Sequence, residues 1–232
     1  MLNKIFLCAF LCCYNFYCGA IEVLPSIYEF EPGDTTSNGN IIQYSIKNLS
    51  DKPFALEVTI LRREIGVDGG ETLIPDEDSF CVYPSQIIIP ANGSRSIKVS
   101  WIGNDAFKKD PRREQAFRVR FSQYSLETNK RSRKQKGPAV EVRLEVLTSL
   151  YMVPAKACAA VSLVSTKATT INGENAYIVQ LKNNGTKHLA AKNADVKLNL
   201  FGKEGNFGDF VDDVCPVLAG HTRAFIITNK KP

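Results

Sequence analysis

Histidine is scarce in this chain. The 232 residues hold two, His188 and His221, both in turn-rich surroundings that suit surface residues better than a general base. There is no CxxC pair, and two histidines without paired cysteines do not make a zinc site. G-x-S-x-G, H-E-x-x-H, the Walker loop and G-x-G-x-x-G are all missing. Gly202, Gly205 and Gly208 recur every third residue, but Lys203-Glu204 and Asn206-Phe207 between them make a loop, not a phosphate cradle. The pair Asp212-Asp213 reads as exposed. The expectation is a protein that is not an enzyme and uses no metal and no cofactor. The one basic run, Lys130 to Lys136 (KRSRKQK), lacks the interleaved aromatics that stack on bases, so it reads as a solvated hairpin loop and not as a nucleic-acid site. No segment reaches membrane-spanning length, so stable membrane insertion is not expected.

What is present begins with a short basic start, Met1 to Lys4, and an apolar stretch, Ile5 to Tyr17, of signal-peptide length. Cys18-Gly19-Ala20 sets small residues for a cut after Ala20, and the mature chain is expected to be exported. Four of the seven cysteines (Cys8, Cys12, Cys13, Cys18) precede that cut. Cys158 and Cys215 both fall in the C-terminal third and are expected to pair, while Cys81, between Phe80 and Val82, is expected to be a buried free thiol.

The rest alternates with a period of two. Phe54 to Ile60, Ile97 to Trp101 and Phe117 to Phe121 each put apolar residues on one face, and Arg118 and Arg120 lie on the wet side of the last. Turn clusters separate these runs at Glu31–Asn40, Asn48–Pro53 and Pro90–Gly93, and 66–78 reads as loop. About seven short strands without helical periodicity predict an all-β sandwich of the immunoglobulin kind for residues 21–154. Runs at 160–165, 176–182, 194–201 and 223–228 predict a smaller β domain over 155–232, with a hinge near Pro154. The strongest alternation comes just before that hinge. Val140, Val142, Leu144 and Val146 point one way, and Glu141, Arg143 and Glu145 the other. Such a row either faces its own core or sits at a sheet edge and is lent to another protein.

Three segments resemble the periplasmic chaperones of the chaperone–usher pathway, the PapD-like superfamily. Ile46 to Pro53 (IKNLSDKP) is similar to that family's early turn, Val82 to Val99 to its Pro-rich turn and following strand, and Arg113 to Phe121 (REQAFRVRF) to its later alternating strand. The resemblance covers most of 21–154 and is weak beyond it. It implies two immunoglobulin-like β-sandwich domains joined by a hinge in a boomerang-like arrangement. It also implies a periplasmic chaperone that lends strand 139–147 to incomplete pilin subunits and delivers them to an outer-membrane usher. Val140, Val142, Leu144 and Val146 would then be the subunit-binding residues, and the exposed strand would also permit self-association. The family's main branch grips the subunit carboxylate with an arginine in the first strand and a lysine before the hinge. Here Val23 to Phe30 has no basic residue, the lysine position falls at Thr148 or Ser149, and Val153 stands where an arginine precedes the hinge proline. The chain therefore resembles a divergent, alternative branch, with its anchor unassigned. The competing expectation is an exported structural or adhesive β protein such as a pilin or tip subunit, against which Pro25 in the first strand and the second domain both argue.

Overall fold

A computed structural model describes residues 21–32, 41–126, 143–211 and 215–229. Ala20, the run Lys130–Lys136 and the residues Val140 and Val142 lie outside them. Among the described residues no helix is long and apolar enough to cross a membrane.

Pro25 divides the first extended segment into β1 (Ile21–Leu24) and β2 (Ile27–Phe30), with a cis Leu24–Pro25 peptide between them. There follow β3 (Ile41–Asn48), β4 (Phe54–Ile65), β5 (Glu71–Pro75), β6 (Phe80–Tyr83), β7 (Gln86–Ile89) and β8 (Ser94–Trp101). A one-turn helix α1 (Asp105–Lys109), β9 (Gln115–Ser125) and β10 (Glu145–Met152) complete the first domain. One sheet has the order β1-β3-β8-β6, and the other β2-β10-β9-β4-β5 with β7 also on β4. Proline interrupts a strand ladder because it has no N–H, and here the chain changes sheets at that interruption. β1 pairs with β3 in one sheet, and β2 runs parallel to β10 in the other.

The two-residue period explains why these segments are strands. β3 alternates without a break, with Ile42, Tyr44 and Ile46 buried and Ile41, Gln43 and Lys47 exposed. Phe54, Leu56, Val58 and Ile60 of β4 and Phe117, Val119 and Phe121 of β9 meet them across the sandwich, around the ring cluster of Phe30, Phe80, Trp101 and Phe117. The stretch 66–78 is not all loop. A turn with Gly69 at φ 86 returns the chain as β5, which pairs Leu61 with Pro75 and Ile65 with Glu71. Cys81 is a free thiol but is exposed, because the period that buries Phe80 turns its neighbour outward.

The second domain contains β11 (Val161–Ile171), β12 (Glu174–Asn183), β13 (Leu189–Ala190), β14 (Lys197–Leu200), β15 (Lys203–Asn206), β16 (Pro216–Val217) and β17 (Thr222–Thr228). Its main sheet is β11-β12-β17, while β13–β16 and β14–β15 form separate pairs. Val179, Leu181, Leu198, Leu200, Phe207 and Phe225 fill a core of its own. The expected Cys158–Cys215 bond is not formed. Cys158 is an exposed free thiol whose carbonyl accepts from the amides of Thr186 and Lys187, whereas the Cys215 carbonyl accepts from Ala191 in another part of the domain.

A buried asparagine closes the same turn in both domains. Asn48 donates to the carbonyls of Lys52 (2.8 Å) and Pro90 (3.0 Å), and its Oδ1 accepts from the Ser50 amide at 2.8 Å. Asn183 donates to the carbonyls of Lys187 (2.7 Å) and Val217 (3.0 Å) and accepts from Ala160 and Gly185. Each satisfies backbone groups that burial would otherwise strand.

Candidate functional site

The site is built on β10, whose two ends differ. From Ser149 to Met152 the strand lies between β9 and β2, and both edges are paired. From Glu145 to Thr148 only the β9 edge is paired, and among the described residues no strand takes the other. The direction of each backbone group follows from the bonds at either end. Ser149 and Val153 donate to Ser26 and Phe30 on the β2 side, while the Leu144 carbonyl accepts from Gln123 of β9. By the strand period, Glu145 and Leu147 present their N–H and C=O groups to the open edge.

The side chains follow the same division. Leu150 and Met152 are fully buried in the first domain's core, and Thr148 is buried beside Tyr44, whose hydroxyl burial pushes up to about 12. Val146 belongs to the same row and packs against that core, but it is only half-buried, as is Leu144. The apolar row expected from the sequence thus does not choose between the two clients. It runs out of its own core and continues along an open edge. Leu144 and Val146 are placed on it, and Val140 and Val142 lie outside the described residues. The strand also extends further than the alternation predicts, through Thr148 and Ser149 to Met152.

The opposite face of the sheet carries a charged cluster. Arg118, paired in register with Ser149, donates to the Ser149 hydroxyl at 2.7 Å and to both oxygens of Glu71, at 3.1 and 2.6 Å. Arg63 donates to the Tyr151 hydroxyl at 2.8 Å and to Glu71. Burial pushes the Glu71 carboxyl up, but the hydrogen bond from Arg118 and the charges of Arg63 and Arg118 outweigh it and hold the group below its ordinary range. Two guanidinium groups on one carboxylate leave the cluster with a net positive charge. Arg120, opposite Leu147, adds another cation two residues along β9 and donates to Thr59 at 3.1 Å. Ser149 is thus not an empty version of a lysine position, because a guanidinium from the neighbouring strand reaches it. Exposed Ile27 and Leu147 stand at the rim.

The second domain is held against the root of β10. The His188 ring stacks on Tyr151 at 4.0 Å between centroids. Its Nδ1 lies 2.7 Å from Glu114, a side chain that is 1% exposed, and its Nε2 lies 3.5 Å from Glu29. Lys187 pairs with Glu29 at 2.7 Å, and Ile65, Tyr151 and Leu218 form a small shared core. His188 is therefore a junction residue and not the surface turn residue its sequence context suggests, whereas His221 is exposed. Among the described residues no three His, Cys, Asp or Glu side chains gather to hold a metal.

No family model matches the chain, and no curated protein matches it in sequence. Solved structures match it in shape. The class 5 fimbriae chaperone CfaA aligns over 92% of this chain and 93% of its own, at 14% identity and a TM-score of 0.54. The E. coli chaperone DraB aligns over 92% and 87%, at 12% identity and a TM-score of 0.57. The CsuC–CsuE chaperone–tip adhesion subunit complex from the archaic chaperone–usher Csu pili of Acinetobacter baumannii aligns over 91% and 89%, at 13% identity and a TM-score of 0.55. The chain has the two-domain, all-β fold of the fimbrial chaperones.

Proposed function

We propose that this protein is a periplasmic chaperone of the chaperone–usher kind, exported by cleavage after Ala20, with its domains divided at 154/155. It binds pilin subunits by donor-strand complementation and delivers them to an outer-membrane usher. The observation that carries this reading is the open edge of β10 at Glu145–Thr148, beside an apolar row that continues the domain's own core. A subunit strand added there receives main-chain hydrogen bonds from Glu145 and Leu147, while Leu144 and Val146, preceded by Val140 and Val142, enter its groove. The fold shared with fimbrial chaperones, CsuC in complex with a tip subunit among them, supports it.

In the same reading Arg118 is the carboxylate anchor. It stands at the position where β10 loses its second edge, it already binds one carboxylate through two nitrogens, and Ser149 lies 2.7 Å from it. A subunit's terminal carboxylate bound at Ser149 would share Arg118 with Glu71. Co-expression of a pilin with the wild-type protein and with Leu144→Asp tests the function. The wild type co-purifies with the pilin in equal amounts. The variant folds but captures none, because an unpaired carboxylate does not enter an apolar groove. Capture by the variant at the wild-type level would contradict the reading.

A further inference from the structure

The charged cluster beside β10 already holds a carboxylate. Glu71 takes the side of the Arg118 guanidinium that can bind a carboxylate through two parallel hydrogen bonds, Nε to Oε2 at 3.1 Å and Nη2 to Oε1 at 2.6 Å. Nη1 is left for the Ser149 hydroxyl, at 2.7 Å. A terminal carboxylate arriving at Ser149 therefore meets a guanidinium whose paired edge is taken, with a like charge bound to the same group.

Glu71 does not step aside easily. Its Oε1 also accepts from Arg63, whose side chain is only 4% exposed. The other partner of Arg63, the Tyr151 hydroxyl at 2.8 Å, carries no charge at neutral pH, so the Glu71 carboxylate balances that buried cation. Withdrawing it would leave a guanidinium out of water without a counter-charge, which costs far more than an exposed ion pair is worth. The backbone fixes Glu71 as well. It is the first residue of β5 and pairs with Ile65 of β4. The turn between them is closed by the Gly66 amide donating to the Gly70 carbonyl at 2.9 Å. That turn is tied to the second domain, where the Ala224 amide donates to the Val67 carbonyl at 2.6 Å. The carboxylate is thus a permanent neighbour of Arg118, held from both domains.

We propose that Glu71 limits the grip on a subunit: it keeps the two-nitrogen edge of Arg118 for itself and sets its own charge against the incoming carboxylate. The anchor then holds through Nη1 alone and stays loose enough to let the subunit go. The inference rests on Arg118 being the anchor, and it adds a residue whose removal improves binding.

Titration calorimetry of the full mature protein at neutral pH and fixed salt tests it. The probe is a synthetic peptide carrying a pilin's C-terminal strand, made as the free acid and as the C-terminal amide. The wild type binds the acid more tightly than the amide. Glu71→Gln keeps the shape and an acceptor for Arg63. It binds the acid about tenfold more tightly than the wild type does, and the amide equally well. Glu71→Asp keeps the charge and stays near the wild type. The double variant Arg63→Gln/Glu71→Gln strands no buried charge and changes in the same direction as Glu71→Gln. If neither Gln variant tightens the acid, Glu71 only orients Arg118 and the proposal is overturned. Equal tightening of acid and amide overturns it too, because the terminal carboxylate is then not what Glu71 opposes. Arg118→Gln keeps the two readings apart. If it erases the difference between acid and amide while the Glu71 variants tighten nothing, the anchor stands and only this inference falls. If the wild type itself does not tell acid from amide, the anchor fails and the inference with it.

Discussion

The two halves of β10 share one alternating row and have opposite surroundings. Leu150 and Met152 lie in a strand with both edges paired and are fully buried, while Leu144 and Val146 extend the same row where one edge is open and are half-buried. The difference comes from β2, which reaches β10 only from Ser149 onward because Pro25 sends the preceding residues to the other sheet. A strand can thus be structural at one end and available at the other without any change in its own pattern. What its neighbours cover decides which.

The contrast breaks most sharply under the same substitution at both ends. Leu150→Asp buries a carboxylate in a closed core and costs more than ~4 kcal/mol, enough to leave no folded protein by circular dichroism. Leu144→Asp, on the open half, changes stability by about 1 kcal/mol or less and acts on capture instead. Next in size is Arg118→Gln. It leaves the fold intact but weakens pilin binding by ~2–5 kcal/mol, the cost of leaving a desolvated carboxylate without its charged partner. A pilin with an amidated C-terminus should lose a similar amount against the wild type and almost nothing further against the variant, as measured by titration calorimetry.

At the root, His188→Ala removes the ring that joins Glu114, Glu29 and Tyr151. It should cost ~1–2 kcal/mol and speed proteolysis between Val153 and Ala160, without changing the thermal transition of the first domain. The smallest effect is on pH dependence. The Glu71 carboxyl holds its proton less tightly in the folded protein than in the unfolded chain. Its stabilising contribution is therefore complete above the ordinary carboxylate value and is lost as the pH falls through its lowered folded value. The wild type should lose more thermal stability over that acid range than Glu71→Gln, and equal losses would count against the arginine cluster.

Much of this was legible in the sequence. The period of two placed β3, most of β4, β8 and β9, and Pro25 marked the break in the first strand. The alternation of Arg118 with Arg120 on the wet face of β9 was visible too, but its meaning was not. Only the register of β9 on β10 brings Arg118 to Ser149, and pairing between strands far apart in sequence leaves no local trace. β5 was missed because five residues ending in proline carry too short a pattern. The disulfide expected between Cys158 and Cys215 rested on proximity in sequence, which does not bring two side chains together. His188 lay in an apparent turn, yet a signal was there: Lys47-Asn48 with Lys52 recurs as Lys182-Asn183 with Lys187. That repeat marks an ordered, asparagine-closed turn directly before the histidine.

The central claim is that the open half of β10 takes up a strand from a subunit, and amide hydrogen exchange with and without a bound pilin tests it most directly. In the free protein Glu145 and Leu147 should exchange fast, while Val146 and Thr148, whose N–H groups point to β9, are protected. Binding should slow Glu145 and Leu147 by at least about a hundredfold and leave Val146 and Thr148 nearly unchanged. If Glu145 and Leu147 still exchange fast in a complex that demonstrably holds the pilin, the subunit is bound elsewhere and the account is wrong.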